Sequence, residues 1–483
     1  MIKAKKGRID CKHIDVLDGI RAISVIIVLI FHFWQQTWIF PKIETPWLAP
    51  IGITKIDFTN FAMVGYLFVD MMVLISGFLL FLPLMRSLVF GEEMSDWKNY
   101  ARRRFARIAP SYYFSVLLIF FASALPSGAY STTAEALKDL FAHLTFTQTL
   151  WVKTYIATPL NVVLWTVAIE VWFYVLFPFV AEFIKGSKNK KRRSFSPAYA
   201  IFFIFAVFNI ISYVYMENFV LKGNVYLAMR INQFPAFLGV YSLGMLGALA
   251  FVLIAKNCRR SAMFDTLNTI FSICCIVLIV YLVDDCAATQ ERQIWQVTER
   301  TKLAFVFMTF IITTALSSKW YRWLFSNKLM RFLSGISYNL YIWHQWLAVQ
   351  CKDPWRIPSW SGELPPNMIG VKYWMNRYAV VITVAAFAAA ILATYLIEKP
   401  FANLILGRPA FPCFAKKKQN AACGSGLDCA KAAAEADIPV YAIDNADISD
   451  IQEASAADRH AEEGSDMNRN SWGEPDSHSS GEN

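Results

Sequence analysis

Apolar residues along this chain fall into runs of about twenty, the length an α-helix needs to cross a bilayer, and short basic segments separate the runs. The pattern predicts an all-α polytopic membrane protein with about ten transmembrane helices. The predicted spans are 17–40, 61–84, 109–126, 160–184, 199–216, 232–255, 266–284, 302–317, 332–351 and 378–397. Residues 132–158 are only mildly amphipathic and predict an interfacial or re-entrant helix instead of a span.

The basic residues between the runs predict the orientation of the chain. With the N-terminus inside, the inner segments hold about 29 Lys and Arg residues and the outer segments about 13. Cytoplasmic loops carry the excess of positive charge in membrane proteins. Both termini are therefore predicted to be cytoplasmic.

Composition supports the same class of protein. Hydrophobic residues make up 56% of the 483 positions and charged residues 17%, and the net charge is +10. From residue 419 onward there are about 14 acidic and 3 basic residues, so the rest carries a net charge near +21. In a membrane protein this excess reports topology, so no nucleic-acid partner is expected. The predicted organisation is a cytoplasmic N-terminus (1–16), a transmembrane domain (17–400) and a cytoplasmic tail (401–483), acidic and disordered after about 419.

Ionisable residues inside the runs mark a candidate site. Arg21 and His32 lie eleven residues apart in the first span, on nearly the same helix face and about 16 Å apart along the axis. Asp70, Glu170 and His344 are predicted to lie at a depth similar to that of His32. Charged groups at that depth are costly and usually face a protein interior. The alternative is four independent structural or interface residues. We expect Asp70 or Glu170 to lie beside His32 and fix its tautomer.

A basic segment, NYARRRFARIAPSYYFSV, precedes the third span. Arg104 and Arg107 share a helix face, and with Arg21 they would form a cationic mouth at the inner surface. Guanidinium groups match phosphate oxygens, so this mouth suits a phosphate-bearing ligand. Ordinary positive-inside anchoring explains Arg102 and Arg103 better, and is an equal alternative for the other two.

Other motifs narrow the chemistry. The pair Ser76-Gly77 in the second span predicts close helix packing. The chain contains no P-loop, GxGxxG, GxSxG or HExxH motif. Nothing in the sequence therefore points to a metal, a nicotinamide or nucleotide hydrolysis.

Six segments, taken in order, resemble membrane-bound acyltransferase family 3, the polytopic O-acyltransferases of bacterial surface polysaccharides and related acceptors. They are LDGIRAISVIIVLIFH, LFVDMMVLISGFLL, RRFARIAP, LWTVAIEVWFYVLFP, SGISYNLYIWH and LIEKPF. The chain departs from the family pattern at Met71 and Met72 and in its acidic tail. It shows no C-terminal esterase-like domain, so we expect the stand-alone form.

The resemblance implies an acyl-CoA donor from the cytoplasm, usually acetyl-CoA, and a hydroxyl acceptor, often on a glycan, at the outer face. It implies the cytoplasmic membrane of a bacterium and no permanently bound cofactor. Under this hypothesis the CoA phosphates bind Arg21, Arg104 and Arg107. His32 acts as general base, or first takes the acyl group itself.

The same hypothesis assigns roles to four further residues. Asp70 or Glu170 would orient His32, and Tyr341 and His344 would line the substrate site. The main alternative is a transporter or flippase that uses the buried charges as a substrate path. Two further alternatives are an enzyme with a different acceptor (a lipid, peptidoglycan or a small metabolite) and a sensor that uses the acidic tail.

Overall fold

A computed structural model describes residues 9–37, 39–52, 54–186, 196–222, 227–351 and 373–411, so the predicted disordered tail lies outside the described residues. The described chain is helical apart from one antiparallel hairpin, β1 (Lys42–Glu44) with β2 (Lys55–Asp57). The helices, in chain order, are α1 (Val16–Thr37), α2 (Thr59–Val64), α3 (Phe68–Phe90), α4 (Trp97–Ile119), α5 (Thr133–Leu144), α6 (Val152–Tyr155), α7 (Trp165–Gly186), α8 (Pro197–Tyr215), α9 (Leu227–Ile231), α10 (Phe234–Asn257), α11 (Ala262–Ala288), α12 (Arg292–Leu316), α13 (Lys319–Ser326), α14 (Lys328–Gln350), α15 (Tyr373–Ala393) and α16 (Lys399–Ile405). The predicted all-α class is confirmed.

Eight helical stretches of the described chain are long and apolar enough to cross a membrane. Helix α12 and the α13–α14 segment meet the same test only as a pair, and the chain bends by 116° between them. These two elements contain the predicted spans 302–317 and 332–351. The protein is therefore an integral membrane protein, whereas the number ten and the cytoplasmic placement of both termini remain predictions.

The segment 132–158 is helical, as predicted, but in short pieces. Thr132 caps α5, because its Oγ1 accepts a hydrogen bond from the backbone N–H of Glu135 at 3.2 Å. A 3₁₀ turn and the single-turn helix α6 follow. Neither helix has the length of a membrane span.

Helices α3 and α10 pack closely against each other. A Cβ atom added to Gly77 would lie 2.6 Å from the carbonyl oxygen of Tyr241. One added to Gly244 would lie 2.4 Å from the carbonyl oxygen of Leu74. Only glycine permits this approach of two backbones, as in other membrane helix pairs. The packing role predicted for Gly77 is confirmed, and α3 is held firmly where it carries Asp70 and Ser76.

Helix α1 packs against α3, α13 and α14. At its N-terminal end, a Cβ on Gly19 would lie 2.0 Å from the carbonyl oxygen of Phe325 in α13. Further along, Ser24 donates a hydrogen bond to the sulfur of Met71 in α3 at 3.1 Å. These contacts fix the helix that carries both Arg21 and His32.

Candidate active site

His32 and His344 meet where α1 packs against α14. The Nδ1 atom of His32 lies 2.9 Å from the Nε2 atom of His344, and the ring centroids are 4.9 Å apart. His344 is fully buried and His32 is half-buried. The sequence predicted that these residues share one depth, but it predicted a carboxylate as the partner of His32. The structure brings the two imidazoles together instead.

Backbone carbonyls fix the tautomer of His344, and His344 in turn fixes that of His32. The Nδ1 atom of His344 lies 2.8 Å from the carbonyl oxygen of Tyr341 and 3.1 Å from that of Leu340. Because a carbonyl only accepts, Nδ1 of His344 carries the proton, and its Nε2 accepts when the ring is neutral. His32 must then donate through Nδ1–H. This assignment leaves Nε2 of His32 with the lone pair, which is the nitrogen that a base or nucleophile needs.

A cavity with an empty volume of about 690 Å³, part of it open to the surroundings, lies among α1, α3, α4, α7 and α14. Its lining contains Arg21, Val25, Val69, Met72, Val73, Ser76, Arg107, Thr166, Val167, Glu170, Phe173, Ser337, Tyr338 and Tyr341. On α14 the lining reaches Tyr341, which is about one helical turn from His344. His32 and His344 are not among the lining residues, so the cavity holds the two arginines and ends near the histidine pair without including it.

Glu170 lies in the wall of this cavity. One of its carboxylate oxygens accepts a hydrogen bond from Ser76 at 3.2 Å and another from the hydroxyl of Tyr174. Ser76 therefore bonds across to α7 while its neighbour Gly77 makes the helix packing. The predicted role of Glu170 beside His32 differs from this arrangement, because the bond from Ser76 joins the carboxylate to α3 and the bond from Tyr174 stays within α7.

The three predicted phosphate-binding arginines occupy two environments. Arg21 and Arg107 line the cavity, and both Arg107 and Glu170 are close enough to Arg21 to act on its charge. Arg104 does not line it. The Arg104 guanidinium lies over the ring of Tyr174, 5.0 Å from its centroid. Arg104 therefore stands behind the wall, connected to Glu170 through Tyr174.

Asp70 is paired with Arg300 in α12. The guanidinium Nη2 and Nε atoms of Arg300 donate to the two carboxylate oxygens at 2.9 to 3.2 Å, and both side chains are buried. Asp70 was predicted to lie beside His32. It pairs with Arg300 instead, because a buried carboxylate is stable only when a donor with several N–H groups satisfies it. Arg300 lies two residues before the predicted span 302–317, where a cation gives no sign of a buried partner.

Glu398, the acidic residue of the LIEKPF motif, does not line the cavity but contacts the helix that carries His344. It ends a π-helical turn, Thr394–Glu398, and is buried. The side-chain amide of Asn339 donates to Glu398 at 2.5 Å and to Thr394 at 2.9 Å. Asn339 lies five residues before His344 on α14, so this contact ties the histidine-bearing helix to the end of α15. In the structure, the π-helical turn is the feature that draws attention to Glu398, because such turns often mark a functional region.

Among the described residues, no group of three or more His, Cys, Asp or Glu side chains is placed to hold a metal ion.

Comparison with known proteins decides the family. The family model Acyl_transf_3, described as an acyltransferase domain, matches residues 14–399. The chain belongs to this acyltransferase family. The match includes every site residue described above, and it confirms the resemblance carried by the six sequence motifs. No solved structure matches the chain.

Curated relatives carry related names. A predicted O-acetyltransferase of Staphylococcus aureus strain COL is 26% identical over 353 residues, which is 69% of this chain and 50% of the relative. The peptidoglycan O-acetyltransferase OatA of Listeria monocytogenes EGD-e is 24% identical over 350 residues, covering 69% of this chain and 49% of OatA. A predicted acetyltransferase of Acidianus two-tailed virus is 23% identical over 262 residues, covering 52% of this chain and 65% of the relative. The chain thus spans about half the length of the bacterial relatives it matches.

Proposed function

We propose that this acyltransferase-family member is an O-acetyltransferase that moves an acetyl group from cytoplasmic acetyl-CoA to a hydroxyl group on the other side of the membrane. The observation that carries the proposal is the hydrogen bond between His32 and His344, about one helical turn along α14 from Tyr341 in the wall of a cavity that two arginines line. A base, an anion-binding mouth and a path between them are the parts this reaction needs.

The charge of the cavity supports this choice of donor. CoA carries phosphates at one end and a long thin arm at the other. Arg21 and Arg107 supply guanidinium groups for the phosphates, and the wall of α14 guides the arm towards His344. The distance along α1 from Arg21 to His32 is about 16 Å, which suits the length of the arm.

Direct transfer of the acetyl group needs only the side chains present, the donor and the acceptor. The Nε2 lone pair of His32 takes the proton of the acceptor hydroxyl while the hydroxyl oxygen attacks the thioester carbonyl. A C–O bond forms, the C–S bond breaks, and the departing CoA thiolate takes the proton from His32. While His32 is charged, its Nδ1–H remains bonded to Nε2 of His344, which stabilises the imidazolium.

An acetyl-histidine route uses the same lone pair as a nucleophile. In that case Nε2 of His32 attacks the thioester first, the thiolate leaves, and the acceptor hydroxyl then displaces the histidine. Mass spectrometry of protein quenched during turnover separates the two routes, because only this one adds an acetyl group to His32.

The acceptor is proposed to be a hydroxyl group of a cell-surface glycan or of its lipid-linked precursor. The names of the bacterial relatives support O-acetylation, and the name of OatA includes peptidoglycan. The protein is accordingly proposed to lie in the cytoplasmic membrane of a bacterium.

The test uses membrane vesicles from cells that produce the full chain, supplied with acetyl-CoA labelled in its acetyl group. The expected result is label in a base-labile ester of the glycan or lipid-linked fraction, together with free CoA. Vesicles from matched cells without the chain should give neither. If purified protein neither binds nor turns over acetyl-CoA, and the vesicles instead move a lipid-linked sugar or an anion, the protein is a transporter and the proposal is wrong.

A further inference from the structure

The hairpin between α1 and α2 separates charged and apolar side chains onto opposite faces. Its strands pair Lys42 with Asp57, Ile43 with Ile56 and Glu44 with Lys55. Successive residues of a strand point to opposite faces, so the four charged residues share one face and the two isoleucines share the other. The Nζ atom of Lys42 lies 3.2 Å from the carboxylate of Asp57, as expected for a cross-strand ion pair.

Asp57 on the charged face is held in its ionised form. The side chain and backbone N–H of Thr59, followed by Lys42, hold the pKa of Asp57 down to about 2. Burying a charged group in an apolar environment is costly, so the face that carries Asp57 favours contact with water.

The other face and the tip are apolar and uncovered by the described chain. Ile43 is 50% exposed and Ile56 is 38% exposed. The tip is the 3₁₀ turn Pro46–Ile51, in which Trp47 is 68% exposed and Ile51 is 70% exposed. Two three-residue strands alone make a marginal hairpin in water, so these four side chains point to a surface that covers them.

The position of the hairpin indicates which surface that is. It leaves the bundle after Thr37 at the end of one candidate span and returns at Thr59 at the start of the next. Both ends therefore lie at one boundary of the membrane. Tryptophan is enriched at this boundary, and amphipathic elements lie in it with their apolar side towards the acyl chains.

We propose that the hairpin lies in the interface of the bilayer, with Trp47, Ile51, Ile43 and Ile56 against lipid and the charged face in water. The leaflet is the one predicted to be extracytoplasmic. Because α1 ends five residues after His32, about 7.5 Å along the axis, this anchor sets the depth of the histidine pair beneath the headgroups.

The test places an environment-sensitive fluorescent amino acid at position 51 in one full-length protein and at position 44 in a matched control. Both proteins are reconstituted in lipid nanodiscs with bromine atoms on the upper acyl-chain carbons, and iodide is the aqueous quencher. Gel filtration and the thermal unfolding midpoint check that each protein is folded. We expect bromolipid quenching at least about threefold stronger at position 51 than at position 44, with the opposite order for iodide.

Two other outcomes would overturn the proposal. Strong iodide quenching and weak bromolipid quenching at both positions would mean that the hairpin stands free in water. Weak quenching by both agents at position 51 would mean that protein covers the tip, either a second copy or another chain. Replacing Trp47 and Ile51 by serine supplies a second readout, since deuterium exchange of the Lys42–Asp57 ladder in nanodiscs should rise for this variant and stay unchanged for Glu44→Gln.

Discussion

Nδ1 of His32 donates a hydrogen bond across 2.9 Å to Nε2 of His344, and this contact joins α1 to α14. Two backbone carbonyls of α14 hold the proton of His344 on its other nitrogen. The nitrogen of His32 that keeps its lone pair is thus selected by a residue 312 positions away in the sequence. His344 is a positioning residue in this account.

Replacing His344 tests that role. His344→Ala should lower kcat for acetyl transfer by about 10²-fold or more while leaving the KM for acetyl-CoA unchanged, since the arginine-lined mouth is intact. His344→Gln should retain more activity, because the amide oxygen of glutamine can accept the hydrogen bond from His32. Equal kcat values for these two variants, or a change confined to KM, would contradict the positioning role.

Arg107 provides a test of the donor site. Arg107→Ala should raise the KM for acetyl-CoA roughly 10- to 150-fold, which corresponds to the loss of a charge-assisted hydrogen bond worth about 1.5–3 kcal/mol. Arg102→Ala is the matched control, because Arg102 is exposed and does not line the cavity. Steady-state kinetics over a range of acetyl-CoA concentrations measure the effect. Similar KM values for both variants would mean that Arg107 does not bind the donor and only anchors the chain at the membrane surface.

The buried pair of Asp70 and Arg300 should matter for stability. Asp70→Asn leaves a buried guanidinium without its counter-charge and should cost about 3–5 kcal/mol of unfolding free energy. The double variant Asp70→Leu with Arg300→Met should recover much of that loss, because both charges are removed. Thermal unfolding in detergent measures both. A stable Asp70→Asn protein that has lost turnover would instead restore the catalytic role predicted from the sequence.

Packing between α3 and α10 gives a prediction independent of catalysis. Gly244→Ala should cost about 1–3 kcal/mol, because the new Cβ would lie 2.4 Å from the carbonyl oxygen of Leu74. Gly186→Ala is the control, since a Cβ there meets nothing within 4 Å. If the two variants have the same unfolding midpoint, the helices are less closely packed than described.

The helical class and the presence of ionisable residues inside the helices were predictable from the sequence, and the reasons are physical. Runs of apolar residues without charges fold into membrane helices whatever their neighbours are. An ionisable residue such as His32 in such a run also stands out on its own. The close packing of Gly77 was predictable because small residues permit helix contact.

The sequence did not predict which side chains pair with each other. Glu170, Asp70 and His344 each had several candidate partners at one depth, and the choice depends on helix rotation and packing. The pairing of Arg300 with Asp70 was not predicted, because Arg300 lies at the edge of a predicted span, where a cation is common. The hydrogen bond of Asn339 to Glu398 depends on a π-helical turn, which periodicity does not reveal.

The most direct test of the account is release of CoA from acetyl-CoA by the purified full-length protein, comparing the wild type with His32→Ala and His32→Gln. Binding of acetyl-CoA is measured on the same preparations. The account predicts that all three proteins bind acetyl-CoA with similar Kd and that only the wild type releases CoA above background. A His32→Ala protein that binds acetyl-CoA and turns it over at the wild-type rate would contradict the central claim that Nε2 of His32 is the reactive group.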